Sequence, residues 1–138
     1  MSPSLVMLVS FAVTTGQPLP LIWHGSVALY PIEAQILQHT NLQRQRHGLA
    51  PLELDERLLR SARSHCQWMC RRDRLQHTTA PVAENIAWGQ TSAVEVVRDW
   101  MNSPGHRANI LNRLHRRIGI AAYALPGGRI YWCQQFSR

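Results

Sequence analysis

The chain has 138 residues, the size of a single domain of ~100–200 residues, and a chain of this length buries enough surface to fold without cross-links. Hydrophobic residues make up 45% of the sequence and charged residues 17%, which excludes an intrinsically disordered protein. The formal net charge of +7 comes from 15 basic residues, all arginine, against 8 acidic residues. This charge favours anionic surfaces. No aromatic platform or reading helix accompanies it, so we do not expect nucleic-acid binding.

The N-terminus carries an apolar stretch, LVMLVSFAV at residues 5–13, that is too short to span a bilayer, which needs ~20 residues. Its length is typical of a signal-peptide core. Small residues at 14–16 and 26–28 offer two candidate cleavage sites, although no basic residue precedes the apolar stretch. We therefore predict a signal-like leader and linker over residues 1–30, because the segment 17–30 contains Pro18 and Pro20 and shows no clear helical or strand period. The mature protein would be secreted or periplasmic and would lack a transmembrane span.

Two helices are predicted next in the chain. Pro31 is a suitable first helical residue, and apolar positions at helical spacing extend to residue 47, before Gly48 as a stop. A short extended piece at 49–54 leads to Asp55, a good N-cap. The second helix runs from there to about Arg71, with one apolar face.

Residues 72–90 show no helical period and contain Pro81 and Gly89, which predicts a long loop, a feature that is often functional. Ser92 and Glu95 then form a capping-box pattern that starts a third helix. This helix is predicted to end near residue 101, with these side chains facing inward: Val94, Val97, Trp100 and Met101. A short helical turn from Ser103 to residue 111 follows.

The C-terminal part changes to the alternation of strands. Residues 118–124 alternate small or branched apolar side chains, and residues 130–136 are aromatic and β-branched. Pro126-Gly127-Gly128 between them is a turn signal. Helices followed by a terminal hairpin predict a layered α+β fold.

The three cysteines are Cys66, Cys70 and Cys133. Cys66 and Cys70 share a helix face, so a bridge from one of them to Cys133 is one interpretation. The other is that all three are small buried hydrophobic side chains. The spacing is a poor zinc signature.

Two stretches resemble the most diagnostic motifs of the CAP superfamily, which comprises cysteine-rich secretory, antigen 5 and pathogenesis-related 1 proteins. One stretch runs through the long loop at 77–89 and the other follows the third helix at 100–112. Three further stretches occur in the family's order, at 41–52, 62–69 and 118–136. The resemblance covers residues 32–136 and is closest to compact bacterial, SCP-like extracellular members. It implies a CAP domain at 31–138, folded as a three-layer α-β-α sandwich with a small antiparallel sheet that includes the C-terminal hairpin.

The resemblance also implies a site. In the family, two histidines and two glutamates line a central cleft and can hold a divalent metal. The matching residues here are His77, His106 and Glu84, while Ser103 stands where the second glutamate is expected. We therefore predict a ligand-binding cleft of His77, Glu84, Ser103 and His106. The resemblance implies that His77, His106 and Glu84 would hold a divalent metal such as zinc, with an affinity lowered by the missing carboxylate.

Structural roles compete with each of these assignments. His77 could be a solvated loop residue, His106 could cap its turn, and Glu84 could accept backbone N–H groups. Ser103 could be a helix cap before Pro104. Asn85 is interpreted as a residue that ties the loop in place.

Two functions follow from the resemblance. The first is a non-enzymatic, monomeric binding module for a small apolar or lipid-like ligand or for an anionic envelope surface. The second is a metal-assisted hydrolase, peptidase-like or esterase-like, that uses the same cleft. A serine nucleophile is disfavoured because no Gly-x-Ser-x-Gly motif is present.

Overall fold

The computed structural model describes residues 21–138. The predicted signal-like stretch at 5–13 and the first candidate cleavage site at 14–16 lie outside the described residues. Within residues 21–138, no helix has both the length and the apolar character needed to cross a membrane.

Residues 21–138 form six strands and four helices. In order, they are β1 (Ile22–His24), β2 (Val27–Leu29), α1 (Pro31–Arg46), β3 (Glu53–Leu54), α2 (Glu56–Arg72), β4 (Ala83–Trp88), α3 (Ala93–Met101), α4 (Pro104–Ile110), β5 (Arg117–Tyr123) and β6 (Tyr131–Ser137). The predicted helices, the short turn and the C-terminal hairpin are confirmed to within one or two residues.

The central sheet has the strand order β3-β5-β6-β4. β6 pairs antiparallel with both β4 and β5, whereas β3 runs parallel to β5. β1 and β2 form a separate antiparallel hairpin before α1. The sheet is therefore mainly antiparallel, with the C-terminal hairpin at its centre.

Successive residues of β5 point to opposite faces of the sheet, as strand geometry requires. Ile118 and Ile120 join the core cluster that contains residues of α1, α3 and α4. Ala121 joins the second cluster, with Cys66 and Met69 of α2. The sheet thus lies between α2 on one face and the other three helices on the opposite face, which confirms the three-layer α-β-α sandwich.

The helix termini follow the capping signals in the sequence. The Asp55 carboxylate accepts the Leu58 N–H at 2.9 Å, and the Ser92 hydroxyl accepts the Glu95 N–H at 3.1 Å. The expected return bond from Glu95 to Ser92 is absent from the described contacts, since its carboxylate accepts the Thr91 N–H instead. α1 ends before Gly48, whose φ of +69° is favourable for glycine.

The structure differs from the sequence-based prediction in the region 72–90, where the sequence predicts a loop throughout and the chain instead forms β4. Four of the six residues of β4 are buried, because α2 covers one face of the sheet and α1, α3 and α4 cover the other. A strand that is buried on both faces has no alternating pattern. The sequence therefore carries no period that would reveal it.

Two smaller predictions are also wrong. The linker at 17–30 includes the β1–β2 hairpin, and Leu29 at its end is fully buried in the core. Val94 is 53% exposed rather than inward, because the buried face of α3 begins at Ala93 and continues through Val96 and Val97.

All three cysteines are buried and unbridged, so the interpretation as small hydrophobic side chains holds. The Cys66 thiol donates to the Tyr131 carbonyl at 3.1 Å. Burial raises the pKa of Cys66 and of Cys133 well above the ordinary thiol value, which keeps these sulfurs protonated at neutral pH.

A buried arginine joins α1 to the segment between α4 and β5. Arg44 is 1% exposed, and its guanidinium donates to the carbonyls of Ala50, Ile110, Asn112 and His115 at 2.8–3.4 Å. The planar fork of arginine can serve several acceptors at once, which a lysine ammonium cannot do in the same geometry. The bonds thus hold the end of α1 against the connection that follows α4.

Replacing Arg44 by Met should lower the free energy of unfolding by about 3–5 kcal/mol, because several buried carbonyls lose their donor. Arg44→Lys should restore only part of this loss. The matched control is Arg46→Met on the exposed side of the same helix, which should change stability by less than about 0.5 kcal/mol. Urea denaturation measures all three variants, and equal stability of the two Met variants would contradict this role of Arg44.

Gly119 on β5 should be intolerant of a side chain, because a Cβ there would overlap the backbone carbonyl of Leu58 in the first turn of α2. Gly119→Ala should destabilise the protein by about 2–3 kcal/mol. Gly105→Ala is the control, since a Cβ at this helical position meets open space and should leave stability unchanged or raise it by up to about 1 kcal/mol. Thermal denaturation distinguishes the two, and a neutral Gly119→Ala would refute the close approach.

Candidate functional site

The first pair of predicted site residues is in direct contact. His77 lies in the segment before β4, and its Nδ1 atom is 2.8 Å from Oε1 of Glu84 on that strand. The Thr78 N–H donates to the same oxygen at 2.9 Å. A carboxylate that accepts these bonds fixes His77 Nδ1 as a donor, so in the neutral imidazole Nε2 carries the lone pair.

Glu84 is buried behind the histidine, with 3% of its side chain exposed compared with 62% for His77. Its second oxygen accepts the Gln135 side-chain N–H at 2.9 Å and lies 3.6 Å from the Cys133 thiol. Both carboxylate oxygens are thus engaged by protein donors. Glu84 is thus placed to orient His77. It also accepts a backbone N–H, that of Thr78, as the alternative structural role for Glu84 predicted.

The second pair consists of Ser103 and His106 at the start of α4. His106 Nδ1 lies 2.9 Å from the Ser103 hydroxyl oxygen. Ser103 occupies the N-cap position of α4, but its side chain makes no capping hydrogen bond, so the prediction of a side-chain cap is wrong. The hydroxyl is used by the imidazole three residues later instead.

Asparagines tie the two pairs to neighbouring segments. The Asn85 amide, fully buried, donates to the His106 carbonyl at 3.0 Å. The Asn109 amide donates to the Glu84 carbonyl at 3.2 Å and to the Asn85 side chain at 2.9 Å. The backbone of β4 at Glu84 is therefore locked against the turn of α4 that carries His106.

The electrostatics of the site favour uncharged imidazole at His106. Its pKa is lowered first by burial and second by the charge of the nearby His77. A neutral imidazole at His106 is suited to bind a cation or a hydrogen-bond donor at neutral pH.

The arrangement can accept a metal only through the histidine nitrogens that remain free. In the described part of the chain, the Nε2 atoms of His77 and His106 have no protein hydrogen-bond partner, whereas both Nδ1 atoms are occupied. Metal-binding histidines commonly donate their second N–H to a carboxylate, as His77 does to Glu84. Two imidazole Nε2 atoms, with Glu84 behind His77, are donors of the kind that a divalent cation takes. Within residues 21–138, no three His, Cys, Asp or Glu side chains are grouped so that they could hold a metal ion.

Sequence reasoning missed two contributors to this region. Gln135 pairs directly with Glu84 in the register of β4 and β6, and the two glutamines in an otherwise apolar strand were the available signal. His115 is buried, stacks on Phe136 and bonds the Asn109 carbonyl through Nδ1 at 3.1 Å. Its role is to support α4, and no sequence motif marks it.

Three tryptophans lie on or beside the central sheet, and they differ in exposure. Trp100 and Trp132 are buried, and their indole N–H groups donate to the carbonyls of Ile86 and Gln90 at 3.2 Å. Trp88 is 38% exposed at the end of β4, and the Arg129 guanidinium carbon lies over its ring, 4.1 Å from the ring centroid.

Comparison with known proteins agrees with the fold and the motif order. The family model of the cysteine-rich secretory protein family, CAP, matches residues 37–136. The uncharacterized protein YkwD of Bacillus subtilis (strain 168) is 38% identical over 129 residues, which cover 81% of this chain and 48% of that protein. The chain thus spans about half the length of this relative.

Solved structures show the same architecture. An outer surface protein from Borrelia burgdorferi superimposes with a TM-score of 0.66 at 20% identity, covering 75% of this chain and 90% of that one. An extracellular protein containing a SCP domain from Bacillus anthracis str. Ames gives a TM-score of 0.64 at 24% identity, covering 77% and 40% of the two chains. With the family model matching most of its length, this chain belongs to the cysteine-rich secretory protein (CAP) family.

Proposed function

We propose that the protein is a non-enzymatic binding module that acts outside the cytoplasm, with His77 and His106 as the residues that contact its ligand. The observation that carries this proposal is that both imidazoles are held in the same way, through a hydrogen bond at Nδ1. Each is held through Nδ1, by Glu84 in one case and by Ser103 in the other. Each therefore keeps Nε2 for a ligand.

The extracytoplasmic location rests on the family and on the leader-like sequence. One structural relative is described as an extracellular protein, and residues 5–13 have the length and apolar character of a signal-peptide core. Secreted or periplasmic are the two locations that this proposal covers.

A divalent cation such as zinc is the ligand that best suits the free Nε2 atoms. Zinc binds neutral imidazole and completes an open shell with water. The lowered pKa of His106 reduces competition from protons at neutral pH. Glu84 fits the position of an outer carboxylate that orients His77.

The apolar or lipid-like ligand class implied by the resemblance stays a prediction. The wall of the site next to His77 carries Ser64 and Thr79 rather than aliphatic side chains, which favours a ligand with polar groups. Two further properties also stay predictions. One is attraction to anionic envelope surfaces through the net positive charge, and the other is a monomeric state.

Zinc titration by calorimetry tests the site. The wild-type protein, freed of metal, should bind zinc, and His77→Ala and His106→Ala should each weaken binding at least tenfold, or about 1.4 kcal/mol. Glu84→Gln should weaken it by about 10–100-fold, the usual effect of losing an outer carboxylate. The buried thiols stay protonated and should not compete.

His39→Ala is the matched control, because this histidine of α1 lies outside the site, and it should bind zinc like the wild type. Circular dichroism confirms that each variant is folded. Wild-type protein that gives no heat with zinc, or site variants that bind as well as His39→Ala, would contradict the proposal.

A hydrolase remains as a second candidate because of one contact. The Ser103 hydroxyl lies 2.9 Å from His106 Nδ1, the separation of a nucleophile and its general base. Within the described residues, however, no side chain bonds the other nitrogen of His106. A catalytic pair normally needs such a third group to hold the base.

Activity assays decide between the two candidates. We expect that p-nitrophenyl acetate and a casein substrate are turned over no faster by the wild type than by Ser103→Ala, with and without added zinc. Turnover that Ser103→Ala or His106→Ala abolishes, and that His39→Ala retains, would establish a hydrolase and refute the non-enzymatic module.

A further inference from the structure

A groove lies beside the site of His77 and His106, which we call the two-histidine site. The roles proposed for that site do not account for the residues that line the groove. It encloses a volume of about 430 Å³, within the range of small-ligand pockets, ~300–1,000 Å³. One wall is a face of α2 with Ser61, Ser64 and Trp68, and the other wall is the chain at 76–79, which includes His77. We call this region the serine–tryptophan groove.

The two walls are fixed to each other at His65. Its Nε2 atom lies 2.6 Å from the Gln76 carbonyl oxygen, and its ring stacks on Trp68 with centroids 5.7 Å apart and planes at 12°. The indole is thus held in one orientation, while 36% of Trp68 stays exposed. A fixed, partly exposed indole is a preorganised surface for a ligand.

The chemistry of the groove is polar but free of permanent charge. Its lining consists of four hydroxyl side chains, one amide, two imidazoles and one indole: Ser61, Ser64, Thr78, Thr79, Gln76, His65, His77 and Trp68. None of the chain's 15 basic or 8 acidic residues lines it. In a protein this rich in arginine, a groove without any is poorly matched to phosphate, sulfate or carboxylate groups.

Several of its polar groups are available for a ligand. Among the described contacts, the hydroxyls of Ser61, Ser64 and Thr79 have no hydrogen-bond partner in the protein. Each hydroxyl can donate one bond and accept two. Neutral hydroxyl groups next to a flat aromatic face are complementary to a molecule with many hydroxyls and an apolar ring face.

From this lining we infer that the serine–tryptophan groove binds a neutral oligosaccharide. The C–H face of one sugar ring packs on the exposed face of Trp68, and the hydroxyls of Ser61, Ser64 and Thr79 bond to the sugar hydroxyls. The inference deepens the proposed function and rests on it in one respect, that the protein acts outside the cytoplasm, where envelope glycans are present. His77, which borders both regions, joins the groove to the two-histidine site.

The test uses chitotetraose and maltotetraose as neutral probes and tetragalacturonate as an anionic probe, with the full chain. At least one neutral probe should bind with a dissociation constant of about 1 mM or lower, measured by calorimetry and by a change in tryptophan fluorescence. Tetragalacturonate should bind no more tightly than that neutral probe.

Variants locate the binding. Trp68→Ala should weaken it at least tenfold, and Ser64→Arg should block it by placing a long charged side chain in the groove. Both positions are exposed, so the fold should be retained, as thermal melts will verify. Trp88→Ala is the matched control because Trp88 is similarly exposed, at 38%, but lies outside the groove, and it should bind like the wild type.

Three results would overturn the inference. The first is that neither neutral probe binds with a dissociation constant of about 1 mM or lower. The second is that binding is unchanged in Trp68→Ala and Ser64→Arg, and the third is that tetragalacturonate binds more tightly than the neutral probes, in a salt-dependent way. The zinc titration separates this failure from failure of the proposed site. His106→Ala should bind zinc at least tenfold more weakly and bind the saccharide like the wild type, because His106 does not line the groove.

Discussion

A chain of amide and hydroxyl groups, mostly buried in the core, ties together β4 and α4, the two elements that carry Glu84 and His106. The Thr40 hydroxyl of α1 accepts from Gln134 of β6, Gln134 accepts from Asn85 of β4, and Asn85 accepts from Asn109 of α4. Asn85 also donates to the backbone of His106. Such a network is costly if any member is left unpaired and rigid when all are paired. It therefore fixes the positions of α1, β6, β4 and α4 relative to one another.

The same network explains why residues far apart in sequence can work together. Glu84 precedes Asn85 on β4, so the strand that carries the network also carries the carboxylate that orients His77. On the other side, Asn109 lies one helical turn after His106 and holds the start of α4 in place. The imidazoles are therefore set by backbone positions that the core determines, and only their outer nitrogens face potential ligands. Rigid support of this kind is what a binding site requires before any ligand arrives.

Much of the fold could be predicted from local signals, since the caps at Asp55 and Ser92 and the stop at Gly48 rest on short-range chemistry. The prediction of a three-layer sandwich rested on the resemblance to the CAP superfamily and not on the periodicity of the sequence. β4 could not be predicted because burial on both faces removes its alternation. For the site, sequence reasoning named His77, Glu84, Ser103 and His106, and the structure places them in two hydrogen-bonded pairs. It could not foresee that Gln135 meets Glu84, because strand register depends on the whole sheet.

The unbridged thiols described for the core have a consequence for how this chain reaches its folded state. Cys66, Cys70 and Cys133 contribute to the protein as packing groups, with no covalent link between α2 and β6. The described fold therefore contains no disulfide that has to form while the chain folds. A reducing environment breaks no covalent bond in this core, whose cohesion rests on side-chain packing and hydrogen bonds alone.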